Sequence, residues 1–414
     1  MSESLGSALP ANEPGRMKRM AQLRRLWTLL LLFLLVWAAG QRFLGVAQDP
    51  QYAVHSDDLL WMWRFARLPR AALPTRNVDY SRLEYPHSAG LPAADRDYVH
   101  GIDQSALERW IFHYLLAWTG KLPRDLPDIQ WDYERDYAWN LAQGNVAPPD
   151  AVRFVRVVNA AFMIGAVILA FAAIARAATP LAGLVAGAYM VLHSAIVDIL
   201  WSIGSDPLLW LCLAAALLLW VFFGASLRGA ILVGLAGGLA ASAKINGSVI
   251  VLGYVLWLAF KNRTRLALLA GAVALAVFVL INPILFSRGV FGVPWMLWEM
   301  LSWRASRAEL FAAHYRAYAG APQWKVVFYL LGSWWPLLPL LLLSRRFWRL
   351  DPAVFWATAL VIGHAATVTA PVARYTFPLQ AGLVLGLLAA YWPARVPFVR
   401  SVFLRAWKRL LRRN

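Results

Sequence analysis

The chain has a single cysteine, Cys212, in 414 residues, and only 15% of its residues are charged. One thiol forms no internal disulfide and no thiolate metal cluster. The seven histidines are scattered, so no dedicated zinc site is expected. A Walker-type phosphate loop, a dinucleotide-binding glycine fingerprint and a His-Glu-x-x-His helix are all missing. There is no internal repeat, and no low-complexity segment beyond the polar first dozen residues.

What the chain has in quantity is apolar sequence. Hydrophobic residues make up 60% and mean hydropathy is +0.53, above the share in an average soluble domain. These residues fall in blocks long enough to cross about 30 Å of hydrocarbon, so the expectation is an all-α polytopic membrane protein. A net charge of +18 raises the question of nucleic acid. Its distribution answers no. Basic clusters lie at Arg16 to Arg25, at Lys261, Arg263 and Arg265, at Arg345, Arg346 and Arg349, and in the final "RAWKRLLRRN". They fall at every second loop between apolar blocks, the pattern of cytoplasmic loops. Fifteen of the 22 acidic residues lie between Asp49 and Asp150, where ten basic residues leave a net −5. That segment is expected outside.

About ten spans are expected, near 26–46, 153–175, 181–199, 207–223, 229–244, 246–260, 266–285, 325–343, 353–370 and 375–392. The first carries no small-x-small cleavage site after it and is expected to stay as an anchor. The organisation is then a cytoplasmic tail (1–25), the first span (26–46), a large outer loop (47–152), the remaining bundle (153–392) with a second outer loop (286–324), and a basic cytoplasmic tail (393–414). Pro180 suits the first position of a helix, and Asn246-Gly247 reads as a turn between two short Gly/Ala-rich segments. One kinked span over 229–260 is the other reading; it would invert the downstream topology and spoil the charge pattern. Within the first loop, "DDLLWMWRFARL" puts Leu59, Met62, Trp63 and Ala66 on one helical face. "SALERWIFHYLLAWTG" does the same with Leu107, Ile111, Tyr114, Leu115 and Trp118. Both suit amphipathic helices in the membrane interface.

Ionisable residues at outer helix ends are the candidates for chemistry: Asp57, Asp58, Asp198, Asp206, Lys244 and Arg374. Charge at membrane depth is costly and marks function by default. Carboxylates can take a proton, while Lys and Arg can hold a phosphate leaving group. Each residue also has a plainer reading. The two aspartates after Ser56 suit the first turn of a helix, Asp206-Pro207 suits a helix start, Lys244 can snorkel, and Arg374 can anchor at the interface.

In order along the chain, "HSDDLLWMWRFA", "AVRFVRVVNAAFMIGAVILAFAAIAR", "SIGSDPLLWLCLAAALLL", "GLAGGLAASAKINGSVIVL", "INPILF" and "ARYTFPLQAGLVLGLLAAY" resemble the GT-C membrane glycosyltransferases. Within that family the chain looks like the protein O-mannosyltransferase and aminoarabinose-transferase type, and the likeness covers about residues 26–392. It implies a bacterial inner-membrane enzyme with both termini cytoplasmic and its active site on the periplasmic face. The donor would be a polyprenyl-phosphate-linked sugar, and the acceptor a glycan, lipid or protein. Carried over, Asp58 (first choice) or Asp57 (second) deprotonates or orients the acceptor. Lys244, Arg374 and Tyr375 stand near the donor phosphate, with Asp206 as a supporting acid. No cofactor is called for; a divalent cation, magnesium or manganese, stays open because the carboxylates have no defined ligand spacing. The chain departs from the family in having Asp-Asp for the common Asp-Glu, and "HGIDQSALERW" where a His-Pro-Pro-Leu-like segment is usual. A polytopic transporter or flippase for a lipid-linked or small polar substrate is the alternative.

Overall fold

Apolar sequence in long blocks satisfies its backbone polar groups internally only as helix or closed barrel. Wherever the structure is described, it takes the helix. The computed structural model describes residues 14–49, 58–66, 106–123, 135, 137–282, 323–367 and 373–392, and among these there is no strand. Asp57, most of both outer loops, the "TAPVAR" turn before residue 373 and the tail after 392 lie outside the described residues.

Sixteen α-helices follow in order among the described residues. They are α1 (Pro14–Gln48), α2 (Asp58–Ala66), α3 (Leu107–Trp118), α4 (Tyr137–Ala142), α5 (Pro149–Ala177), α6 (Pro180–Leu192), α7 (Ile196–Trp201) and α8 (Asp206–Phe223). Then come α9 (Leu227–Ala243), α10 (Ser248–Phe260), α11 (Thr264–Ile281), α12 (Gln323–Leu331), α13 (Leu338–Leu343), α14 (Arg345–Trp348), α15 (Pro352–Thr367) and α16 (Thr376–Tyr391). Among the described residues, five stretches are long and apolar enough to cross a membrane: Arg25–Gln48, Pro149–Ala177, Asp206–Phe223, Thr264–Ile281 and Lys325–Leu343. α6, α9, α10, α15 and α16 are shorter apolar helices. The protein is a helical bundle built for a lipid environment.

Local chemistry sets several helix starts. Thr179 Oγ1 accepts from Ala182 N at 3.1 Å, capping α6 with Pro180 in its first turn. Ser226 caps α9 through Gly229 N at 3.0 Å. In α1, Leu35, Ala39, Phe43 and Ala47 are buried four residues apart, while Leu26, Leu29, Phe33 and Trp37 are exposed. One face of α1 packs on α5 and α6, and the rest is left for lipid.

The Gly/Ala-rich hairpin is where the fold is tightest. A Cβ on Gly234 would lie 2.8 Å from Ala270 O, and one on Gly238 would lie 2.7 Å from Ala274 O. α9 and α11 therefore meet backbone to backbone, with no room for a methyl group. Gly237 faces Val251 of α10, so the chain has folded back at the Ile245–Gly247 turn. Two antiparallel helices stand there, not one kinked helix.

Three expectations need correction. The third apolar block is not one helix over 181–199. It breaks at His193, whose ψ of 132 is extended, and restarts as α7. The eighth block is likewise interrupted: Gly332 takes φ 54, and Pro336 sits inside a 3-10 segment, Gly332–Leu337, between α12 and α13. On α3 the inward stripe is Glu108, Phe112 and Leu116, all buried, whereas Tyr114 and Trp118 are exposed. The aromatic face points outward, as suits a helix lying in a membrane interface.

Candidate functional site

Helix ends collect the polar residues. At one end of the bundle, Arg346 donates to Ala177 O, at the end of α5, and to Ala389 O, in the last turn of α16. Trp257 Nε1 of α10 donates to Leu350 O there at 2.9 Å, and Tyr254 OH to Gly224 O, just after α8, at 2.8 Å. This end carries Arg176, Lys261, Arg345, Arg346 and Arg349. Because α5, α8 and α16 end here, they begin at the other end, where α9 and α11 finish. The candidate residues lie at that second end.

Two ion pairs are built there. Asp206, in the first turn of α8, accepts from Lys244 Nζ at 2.7 Å, with side-chain exposures of 17% and 13%. Asp206 meets the positive end of one helix dipole and Lys244, the residue closing α9, meets the negative end of another. Lys244 Nζ also lies 5.4 Å from the centre of the Tyr375 ring, and the Arg374 guanidinium 5.7 Å from it. His364, in the last turn of α15, stands edge-on to Tyr375 at 6.0 Å. The Arg374 charge acts on both Asp198 and Asp206. Asp198 is in α7, too short to span and outside the long apolar helices; burial raises its carboxyl above the ordinary range while Arg374 pulls it down.

The second pair is Arg156 Nη2 on Asp58 Oδ2 at 2.6 Å, with both side chains almost wholly buried. Around it Leu59, Trp61, Met62 and Phe65 of α2 pack on Phe112 and Leu116 of α3, on Val152 and Val155 of α5, and on Ile203. One turn along α5 from Arg156, Asn159 Nδ2 reaches Gly204 O at 3.5 Å. Gly204 belongs to the short turn 202–205, which leads directly into Asp206 and so links the two ion pairs along the chain.

Of the residues singled out from sequence, Asp206, Lys244, Arg374 and Tyr375 come together. Asp198 is on α7, which packs against the Ala373–Tyr375 turn that carries Arg374. Asp58 sits in the neighbouring nucleus, and its Oδ2 is held by a guanidinium, an environment in which a carboxylate is a poor base. Asp57 lies outside the described residues.

Three participants were not anticipated. Arg156 is one, and nothing local in "AVRFVRVVN" distinguishes it from Arg153. Asn282 is another: its Oδ1 accepts from Ala106 N at 2.8 Å, while its Nδ2 donates to Phe278 O at 2.7 Å and to Ser242 Oγ at 3.4 Å. Trp110 Nε1 adds a bond to Ile281 O at 2.9 Å, so α3 is latched to the ends of α9 and α11. The third is Gln380 on α16, which His193 and Tyr189 both contact. The sign available for Asn282 was an amide beside a proline at the end of an apolar block.

Among the described residues no three His, Cys, Asp or Glu side chains gather as a metal site. The arrangement can hold an anion at Lys244 and Arg374, provided that the anion competes with Asp206 for Lys244. No protein-family model matches this chain, and no curated protein matches it.

Proposed function

We propose that this protein is a GT-C-type membrane glycosyltransferase that moves a sugar from a polyprenyl-phosphate donor to an acceptor hydroxyl or amine on the outer face of a bacterial inner membrane. The chain would cross about ten times, counting the shorter apolar helices as spans, with both termini cytoplasmic. The observation that carries the reading is the meeting of Lys244, Arg374 and Tyr375 at the end of the bundle opposite the basic residues. Two cations beside an aromatic ring suit a lipid phosphate arriving at the membrane face.

In the proposed reaction the acceptor oxygen or nitrogen attacks the anomeric carbon in line. The bond from that carbon to the phosphate oxygen breaks, its electron pair leaves on the phosphate, and the configuration inverts. The acceptor proton goes to a carboxylate. Asp58 and Asp57 both remain candidates. The Arg156 contact weighs toward Asp58 as the residue that fixes α2, and toward its neighbour as the base. Lys244 and Arg374 stabilise the leaving phosphate, which needs no proton. Asp206 keeps Lys244 in place until the donor arrives.

A transporter is favoured by one feature, the closed Lys244–Asp206 pair inside an apolar bundle. A single assay separates the two. Protein in lipid nanodiscs, given a labelled polyprenyl-phosphate sugar and candidate acceptors, should release free polyprenyl phosphate with inverted product. Donor bound or carried across proteoliposomes with its sugar bond intact would overturn the transferase.

A further inference from the structure

His193 stands at the break between α6 and α7, 9% exposed, and both its ring nitrogens are engaged. Nδ1 lies 3.2 Å from Ala195 N. A backbone N–H only donates, so Nδ1 accepts and carries no proton. In the neutral ring the proton is then on Nε2, which donates to Gln380 Oε1 at 3.1 Å. Tyr189 OH donates to the same oxygen at 3.3 Å, and Gln380 Nε2 donates to Leu330 O at 2.7 Å. Donors and acceptors match along the whole relay, which runs from the start of α7 through α16 to the end of α12. Phe377 and Tyr189 flank the imidazole edge-on at 5.1 Å and 5.5 Å.

The relay joins the two elements that bring opposite charges to the candidate site. α7 carries Asp198 and packs on the Ala373–Tyr375 turn, which carries Arg374 and leads directly into α16. The Nδ1 contact to the residue two ahead is the imidazole version of the turn that Asn and Asp make with their own backbone. It closes the extended backbone at His193 and lets α7 restart in a fixed direction.

We infer that His193, locked as the Nε2–H tautomer, is a positioning residue that aims α7 and so sets Asp198 against Arg374. The inference deepens the proposed site but draws on its geometry alone. A doubly protonated ring would have no acceptor for Ala195 N–H, so the neutral form is required. The groups facing the ring are uncharged: Tyr189 on its own helix, with Gln380 and Phe377 on α16. The charged members, Asp198 and Arg374, are what the relay holds.

The test needs no substrate. In nanodiscs at neutral pH, the ¹⁵N spectrum of His193, assigned by its loss in His193→Asn, should show a protonated Nε2 and a bare Nδ1. Amide exchange should rise about tenfold at 196–201 and at 374–376 in His193→Leu, the effect of one lost hydrogen bond. Gln380→Leu should raise exchange at 374–376. His193→Asn, which can still accept from Ala195 N, should keep 196–201 within about twofold of the parent. A protonated Nδ1, or unchanged exchange at either segment in His193→Leu, overturns the inference. A failed transfer assay would count against the proposed reaction and leave these readings standing.

Discussion

Arg156 on α5 and Asp58 at the start of α2 are 98 residues apart in sequence and 2.6 Å apart in space, in a nucleus that excludes solvent from both. Buried pairs of this kind add little net stability, but breaking one leaves an uncompensated charge. Arg156→Ala and Asp58→Asn should therefore each destabilise the protein by about 3–5 kcal/mol. The exchange Asp58→Arg with Arg156→Asp should recover part of that loss. Thermal unfolding in detergent measures it; two single variants as stable as the parent would show that the pair is absent in the membrane.

That pairing changes how amide substitution at the first loop must be read. Asn replaces Asp well as a helix cap, but at Asp58 it also removes the charge that faces Arg156. Turnover lost in Asp58→Asn is then informative only in molecules that remain folded. Asp57→Asn is the cleaner variant. If that residue is the base, turnover should fall by roughly 10²–10⁴-fold while donor binding is kept. Full turnover in Asp57→Asn and in folded Asp58→Asn would remove both from the chemistry.

The Lys244–Asp206 contact gives opposite predictions for its two members. Lys244→Ala and Arg374→Ala should each weaken donor binding by about 1.5–3 kcal/mol, the range for charge-assisted hydrogen bonds. Asp206→Asn releases Lys244 and should tighten donor binding by about 0.5–1.5 kcal/mol. Titration calorimetry with polyprenyl phosphate reads all three. Weaker binding in Asp206→Asn would mean that the aspartate orients the lysine rather than competing for it.

Topology can be checked apart from chemistry. Reporters after Gly320 and within 80–100 should read outside, and those after Arg265 and Arg349 inside, following the basic loops. An inside signal at Gly320 would separate Lys244 from Arg374 across the bilayer.

Packing yields one more outcome. Gly238→Val puts a branched side chain against Ala274 O, a backbone atom that cannot swing aside. A loss of about 1–3 kcal/mol is expected, the range for overpacking, with Lys244 displaced along with the end of α9. A variant of unchanged melting temperature would show that α9 and α11 can separate without cost.

The sequence was most readable where one residue type decides local geometry. Pro180 marks a helix start and Asn246-Gly247 marks the hairpin, because helix-start and turn chemistry act over three or four residues. Alternating helix direction placed Asp206, Lys244 and Arg374 at one end of the bundle, where they lie, whereas Tyr375 came in only through the family likeness. The break at His193 was hidden, since apolar residues continue on both sides of it and its cause, the Nδ1 bond to Ala195, is a matter of backbone rotation. Arg156 and Asn282 were invisible for another reason. Their partners, Asp58 and Ala106, are remote in the chain, and no local pattern records such a pairing.

Arg346 gives the bundle an order of completion. Its guanidinium closes the carbonyl ends of α5 and α16, which are made early and late in synthesis. Until the final helix is delivered, Arg346 can reach the Ala177 carbonyl but lacks its second acceptor, Ala389 O. A nascent chain stopped before Thr376 should leave α5 frayed and open to proteases from the basic end, and adding residues 376–392 should seal it.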